Sequence, residues 1–524
     1  MKRTSIGLFL TLITCFGINM LSAAIGMKIP FSSHMVLQRN AKVNVWGTGA
    51  AGEIVTLKFN GQTKTTTTGA DNNWKLQLDP MTAAGPLTMT VSGSNTITFN
   101  DIYIGEVWQC GGQSNMDLTL SAPDWGGDFD AEIANANYPR LRYMKTRRGN
   151  GTWNVMSPST AAGCSATGYF FGKDLMQNLD CAVGLMVTAV GGTTIDQWFD
   201  PISINSFRGK LDASVNPGDM YEQFVKPVIP YTIKGMVWIQ GEQNASRGFG
   251  AADYGDRFKA VISNYRKAWG QGDFPFYFGQ ITGVNTTQAE PHPSSTAAMV
   301  REGQRQALEL PQTAISVMLD ISGGGWHYRN KREAGRRLAL APKALLYGKP
   351  MEYSGPLFES CSVEDRDVTI RFIHATGLKT NDAKAPAGIA LAGADGVWYF
   401  ADKIMIQGTS VVVSSTRVPK PLRVCMGWND RPRLNLYNSD GLQASPFVAE
   451  VNPAKPMDCM GVQGGTAIRD LCGRCVGGST GKAACNLLTE AEDACAFDGV
   501  EETSNAGFKG ISYVNVPNET GASI

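Results

Sequence analysis

The sequence predicts an α/β protein in which a parallel sheet, covered by helices on both faces, is flanked by β-sandwich regions. Two observations predict it. Between about residues 101 and 350, compact apolar runs alternate with stretches whose apolar residues recur at helical spacing, the pattern of parallel strands joined by crossover helices. Before and after that stretch, short segments alternate apolar with polar residues and are punctuated by Gly and Asn, as half-buried antiparallel strands are.

Residues 1–24 read as an export signal. Lys2 and Arg3 precede an apolar run from Ile6 to about Leu21, and the small residues Ser22, Ala23 and Ala24 follow. A membrane span needs ~20 apolar residues and no small-residue ending, so a cleaved leader and a secreted, extracellular protein are expected. Residues 25–100 carry Lys42-Val-Asn-Val-Trp46, Ile54-Val-Thr-Leu-Lys-Phe59 and Leu87-Thr-Met-Thr-Val91, short strands of an N-terminal β-sandwich. Residues 101–350 form the expected catalytic domain. Its apolar runs are Ile102–Gln109, Val183–Val190, Met236–Ile239, Phe274–Ile281 and Ala314–Asp320. Tyr254, Phe258, Val261, Ile262, Tyr265 and Trp269 keep one face of a helix, Ser165–Leu179 reads similarly, and a last helix starting near Tyr328 meets Pro342, which should end or kink it. Short strands return in a C-terminal β region, 351–452, as in Val368-Thr-Ile-Arg-Phe372 and Ser410-Val-Val-Val-Ser414. A Cys- and Gly-rich linker, 453–486, and a short final segment, 487–524, complete the chain.

A formal charge of +1 from 47 basic and 46 acidic side chains gives no basic face for nucleic acid, and no later segment is long and apolar enough for a membrane. Eleven cysteines fall to ten once the leader with Cys15 is removed, an even number for an oxidising compartment. Five of them, Cys459, Cys472, Cys475, Cys485 and Cys495, crowd into one stretch. After export, disulfides explain them better than a zinc site does.

In an open parallel sheet, ligands bind beyond the carboxyl ends of the strands. The first strand runs into Cys110-Gly-Gly-Gln-Ser-Asn-Met116, the second into Gly191-Gly-Thr-Thr194, the third into Gln240-Gly-Glu-Gln-Asn244, and the last through Asp320 and Gly323-Gly-Gly-Trp to His327. These are the residue types acyl transfer needs: a serine with a base to take its proton, a third group to orient the base, and donors in place for the oxyanion. Gly111 and Gly112 permit a sharp turn that presents Ser114. The N–H of Ser114, that of Gly191 or Gly192, and the amide of Gln240 are the candidate donors. Of the four histidines, His34 lies in the N-terminal β region, His292 in a proline-rich loop and His374 in an alternating strand, so His327 is the candidate base. Asn115, Trp198 and Asn244 are the candidate substrate-binding residues. No cofactor is expected. A metal-dependent deacetylase would need a His/Asp cluster, and four scattered histidines offer none.

At these residues the chain resembles the sialate O-acetylesterase group of SGNH hydrolases and its acetylxylan esterase relatives. The matching segments are Met35-Val-Leu-Gln-Arg39, Ile104-Gly-Glu-Val-Trp-Gln-Cys-Gly-Gly-Gln-Ser-Asn-Met116, Gly191-Gly-Thr with Trp198, Trp238-Ile-Gln-Gly-Glu242, His327 with Lys331 and Arg336-Arg-Leu338, and Asn435-Leu-Tyr-Asn438 with Ser445-Pro-Phe447. The resemblance implies an SGNH-type three-layer hydrolase with flanking β domains, Ser114 as nucleophile, His327 as general base and acid, and the oxyanion donors already named. Many SGNH enzymes carry Asp three residues before the histidine, where this chain has Gly324. Acetylxylan esterase relatives imply Glu242 as the third member instead. Asp320, which ends the strand leading to His327, is the competitor. The tail resembles linkers of secreted polysaccharide-degrading enzymes and then the start of a β-sandwich carbohydrate-binding module, broken off at Ile524.

The expected function is therefore a serine acetylesterase acting on an acetylated carbohydrate, with acetylated xylan favoured by the tail. A sialate O-acetylesterase is the close alternative. A non-catalytic carbohydrate-binding protein on the same fold is the alternative from another class.

Overall fold

One strand of 17 residues, β2 (Thr96–Gly112), organises the first unit of the chain. Its amino-terminal half pairs antiparallel with Ala84–Ser92, while its carboxyl half is the centre of a parallel sheet. The boundary expected between residues 100 and 101 thus falls inside a continuous strand, and the N-terminal β region shares its backbone ladder with the sheet that follows. The computed structural model describes residues 24–122, 129–146, 150–283, 291, 293–323 and 325–451, with short pieces of the tail at 460, 467–469, 475–482, 500–502 and 513–515. The leader, His292, Gly324, four of the five tail cysteines and most of the expected linker and module lie outside the described residues. Among the described residues, no helix is long and apolar enough to cross a membrane.

Around β2 the sheet contains β3 (Tyr138–Lys145), β4 (Trp153–Met156), β5 (Ala182–Ala189), β6 (Gly235–Ile239), β7 (Phe276–Gly279) and β8 (Thr313–Ser316), in the order β4-β3-β5-β2-β6-β7-β8. All neighbours after β3 are parallel, β4 is antiparallel to β3, and the short strand β1 (Val36–Gln38) adds to β2 in parallel. The chain leaves β2 toward one edge and returns to the other side of it, so β2 sits at the point where the strand order reverses, and a crevice opens there.

Helices cover both faces, and the alternation of side chains along β6 shows why. Val237 and Ile239 join a core with Tyr169, Phe171, Leu175 and Leu338, contributed by α2 (Ala166–Leu179) and α6 (Lys331–Leu345). Trp238 points the other way, against Phe258 and Tyr265 of α4 (Tyr254–Trp269). Successive strand residues face opposite sides, so both faces need a helix layer. Ser165 starts α2 by accepting the N–H of Gly168 through its hydroxyl, 2.9 Å away, as an N-cap does.

Two expectations need correction here. Pro342 does not end α6, which continues to Leu345 with the Leu346 N–H donating to the Pro342 carbonyl; so near a helix end proline removes only one ladder bond. The strands β3 and β4 interrupt the expected sequence of elements, because β3 reads as polar. Its Arg142 is buried, with its guanidinium held by both oxygens of Asp101 at 2.7 and 3.1 Å.

The second unit contains Pro356–Trp428 and the residues from Arg433 onward, apart from Asn429–Pro432, which group with the first. It holds two four-stranded antiparallel sheets, one with Leu357–Glu364, Asp367–Ile373, Ser410–Ser414 and Lys403–Gln407, the other with Trp398–Phe400, Ile389–Ala392, Arg423–Met426 and Phe447–Glu450. Val368, Ile370 and Phe372 are buried on alternate positions. His374 lies just past that strand, at a φ of 55°. Among the described cysteines, Cys110, Cys164, Cys181, Cys361 and Cys425 are free thiols, while Cys475 is disulfide-bonded.

Candidate active site

The register of three adjacent strands builds the site. Gly112 of β2 stands opposite Ala189 of β5 on one side and Ile239 of β6 on the other, so the segments after all three emerge at one level. Gly112 has a φ of +121°, and a Cβ there would lie 2.0 Å from the Ile239 carbonyl oxygen; no other residue fits. The turn it permits delivers Ser114 to the start of α1 (Ser114–Asp117). The loop after β8 carries His327 back across two strands to meet it.

Ser114 Oγ and His327 Nε2 are 2.8 Å apart, across 213 residues of sequence. They line a cavity of about 290 Å³ together with Gln113, Leu118, Gly192, Glu242, Gln243, Ser246 and Trp326. His327 is half-buried, and its pKa is lowered to about 4, chiefly by loss of solvation and further by the charge of Lys331. The imidazole is therefore neutral at physiological pH, the form that can accept a proton. His34, in contrast, pairs with Asp101 over 2.7 Å and does not line this cavity.

Of the expected oxyanion donors, the structure places Ser114 and Gly192 at the cavity, and their N–H groups donate to no described protein acceptor. Gly191 packs against Ser114, where an added Cβ would touch the serine Cβ at 3.5 Å, but its N–H points to Asp117 Oδ2 at 3.3 Å. Gln240 is not at the cavity. It is fully buried, and its Nε2 faces Asn244 Oδ1 at 2.8 Å, the Thr193 carbonyl at 3.0 Å and Gln113 Oε1 at 3.2 Å, while its Oε1 accepts the Tyr254 hydroxyl at 2.7 Å. Two amide hydrogens already shared among three acceptors leave none for substrate.

Both candidate acids are engaged elsewhere. Asp320 is held by Arg337 through two bonds of 2.6 and 2.7 Å, a bidentate pair that fixes its geometry. It sits in a short 3-10 turn, Leu319–Ile321, rather than at the strand end. Glu242 is buried in the cavity wall, where Oε1 accepts Asn115 Nδ2 at 2.6 Å and Oε2 has no partner. Burial raises its pKa. Its hydrogen-bonded link to the histidine loop runs through Asn115, whose Nδ2 also donates to the Trp326 carbonyl at 2.8 Å. The direct carboxylate–His327 bond expected from Glu242 or Asp320 is therefore not present.

The three expected substrate-binding residues are buried as well. Asn115 is the hub just described, Trp198 donates its indole N–H to Thr193 Oγ1 at 2.9 Å, and Asn244 accepts from the Ile195 N–H at 2.9 Å. Each shapes the site from behind. Two residues had no role in the sequence reading. Lys331 is fully buried, donating to Asn115 Oδ1 at 2.7 Å with its ammonium 4.1 Å from the Tyr328 ring centre. Burial lowers its pKa to about 7, with the Glu242 carboxylate opposing. The signal was available: Lys331, Ala334, Leu338 and Ala341 share the buried face of α6, so the lysine had to point inward. The second is Gln113, which lines the cavity beside Ser114.

A hydroxyl bonded to a neutral imidazole, with two free N–H groups in the same cavity on an α/β frame, defines the hydrolase class that acts on esters. The comparisons agree. The family model for carbohydrate esterase, sialic acid-specific acetylesterase, matches residues 104–341. Human sialate O-acetylesterase is 27% identical over 408 residues, 64% of this chain and 75% of that one. The sialate O-acetylesterase of Rattus norvegicus is 26% identical over 443 residues, 67% and 79% of the two chains. A solved structure of a carbohydrate acetylesterase from Xanthomonas citri superposes with a TM-score of 0.74 at 30% identity, covering 81% of this chain and 99% of that one. The chain belongs to the sialic acid-specific acetylesterase family of carbohydrate esterases, and it is a carboxylic ester hydrolase of acetylated carbohydrate.

Proposed function

We propose that this protein is a secreted enzyme of the SGNH type that removes acetyl groups from plant polysaccharide, with acetylated xylan as the favoured substrate, through a Ser114 acyl-enzyme. The observation that carries the mechanism is the 2.8 Å contact between Ser114 Oγ and a neutral His327. Ser114 Oγ attacks the acetyl carbonyl as its proton passes to His327 Nε2. The carbonyl oxygen gains the negative charge and is met by the N–H groups of Ser114 and Gly192. Collapse expels the sugar oxygen, which takes the proton from His327, and water then releases acetate by the same route. Neither Glu242 nor Asp320 bonds His327, so the chemistry is carried by Ser114 and His327 themselves. Export rests on the basic and apolar character of the first residues.

The second reading is a sialate O-acetylesterase, favoured by the names of the curated relatives. Acetate release should be measured from acetylxylan and from an O-acetylated sialoside in parallel. Release from the sialoside alone would remove the xylan reading. Export is checked by the amino-terminal sequence of the protein recovered outside the cytoplasm, which should begin near Ile25.

A further inference from the structure

Gln113 precedes the nucleophile and is 2% exposed. Its side-chain Oε1 faces three donors: Gln240 Nε2 at 3.2 Å, the Gln243 N–H at 3.3 Å and the Gly241 N–H at 3.4 Å. Two of these are backbone N–H groups, which cannot act as acceptors. They fix which branch of the amide is oxygen, because the reversed amide would set N–H against N–H. The other branch, Nε2, donates to no described protein group, and unlike Glu242 Oε2 it is not sealed from the cavity. One end of this amide is locked by protein donors, and the other is left to the cavity that Ser114 also lines. A ligand oxygen would satisfy it.

We propose that Gln113 is a catalytic residue, its Nε2–H donating to the acetyl carbonyl oxygen as that oxygen becomes anionic, the part expected of Gln240. This inference rests on Ser114 being the nucleophile. During attack the Ser114 Oγ–carbon bond forms, the carbonyl π pair moves to oxygen, and the serine proton goes to His327; Gln113 breaks no bond and only hydrogen-bonds the new charge. Its amide is held before substrate arrives, so no reorganisation is needed at the moment of reaction. Gln240 then acts one step back, as one of the donors that hold Gln113 Oε1.

Gln113→Glu tests this, because it keeps an oxygen for the three donors and replaces Nε2 with an atom that repels the oxyanion. With p-nitrophenyl acetate, kcat should fall by about 10²–10³ with little change in KM or melting temperature. An unchanged kcat overturns the proposal. A second measurement needs no variant. The unaltered enzyme is treated with diethyl p-nitrophenyl phosphate and the Ser114 adduct crystallised, and the phosphoryl oxygen should lie within ~3.2 Å of Gln113 Nε2. An adduct whose oxygen points away from Gln113 overturns the proposal while leaving Ser114 as nucleophile. If Ser114→Ala keeps its activity and the reagent labels another residue, the failure lies in the nucleophile, and the Gln113 role falls with it.

Discussion

Lys331 donates to the side-chain oxygen of Asn115 over 2.7 Å, and both residues are fully buried. That bond holds a cation close enough to His327 to depress its pKa, after the larger effect of burial. Below a pKa of about 4 the imidazole is protonated and cannot accept the serine proton. kcat/KM should therefore stay level as pH falls through 6 and 5, and drop only as it passes through about 4. Lys331→Met removes the charge and should move that acid limb upward, part of the way toward 6.5. A pH–rate profile of the two proteins on one small ester decides it, and an unmoved limb would separate Lys331 from the histidine.

The same depressed pKa has a consequence for stability. The unfolded chain binds a proton at His327 near pH 6.5, whereas the folded protein waits until about 4. Between those values the unfolded state holds more protons, so stability is lost as pH falls through that window. His327→Gln removes this contribution. Melting temperature should fall less steeply from pH 6.5 to 4 in the variant than in the parent protein.

Ser114→Ala should abolish turnover with melting temperature retained, since its hydroxyl lies in an open cavity beside His327. Residual hydrolysis of p-nitrophenyl acetate at the parent rate would reject the nucleophile assignment.

Asp320 and Glu242 separate by what each would lose. Asp320→Asn weakens the bidentate pair with the buried Arg337, and removing one partner of a buried pair costs about 3–5 kcal/mol. The cost should be at the low end because Asp320 is partly exposed, and turnover per folded molecule should hold. Glu242→Gln keeps an oxygen for Asn115 and has no bond to His327 to break. Its kcat should fall far less than the ~10⁴ that loss of an orienting acid produces. Urea denaturation and single-substrate kinetics on both variants test the pair.

Gln240→Ala should act through the fold. It leaves the Thr193 carbonyl without its donor and takes one of two partners from the Tyr254 hydroxyl and from Asn244 Oδ1, and an unsatisfied buried group costs about 1–3 kcal/mol. A large fall in the denaturation midpoint is expected. A selective kcat loss at unchanged stability would instead return Gln240 to the oxyanion site.

The sequence by itself determined the alternation of elements, the strand ends that meet at the crevice, and the serine and histidine that lie there. Those signals are local: Gly112 must turn, α4 must bury one face, and a strand end must open on a crevice. It could not determine β3, because the charge of Arg142 reads as surface until Asp101, 41 residues earlier, is seen to pair with it. It also could not rank the polar residues clustered at one crevice. Gln113, Gln240, Glu242 and Asn244 are equivalent in composition, and only the tertiary structure decided which amide is spent on neighbours and which reaches the cavity. The reason is physical: a side-chain hydrogen bond is set by partners that the fold brings within about 3 Å, and periodicity along the chain carries no record of them.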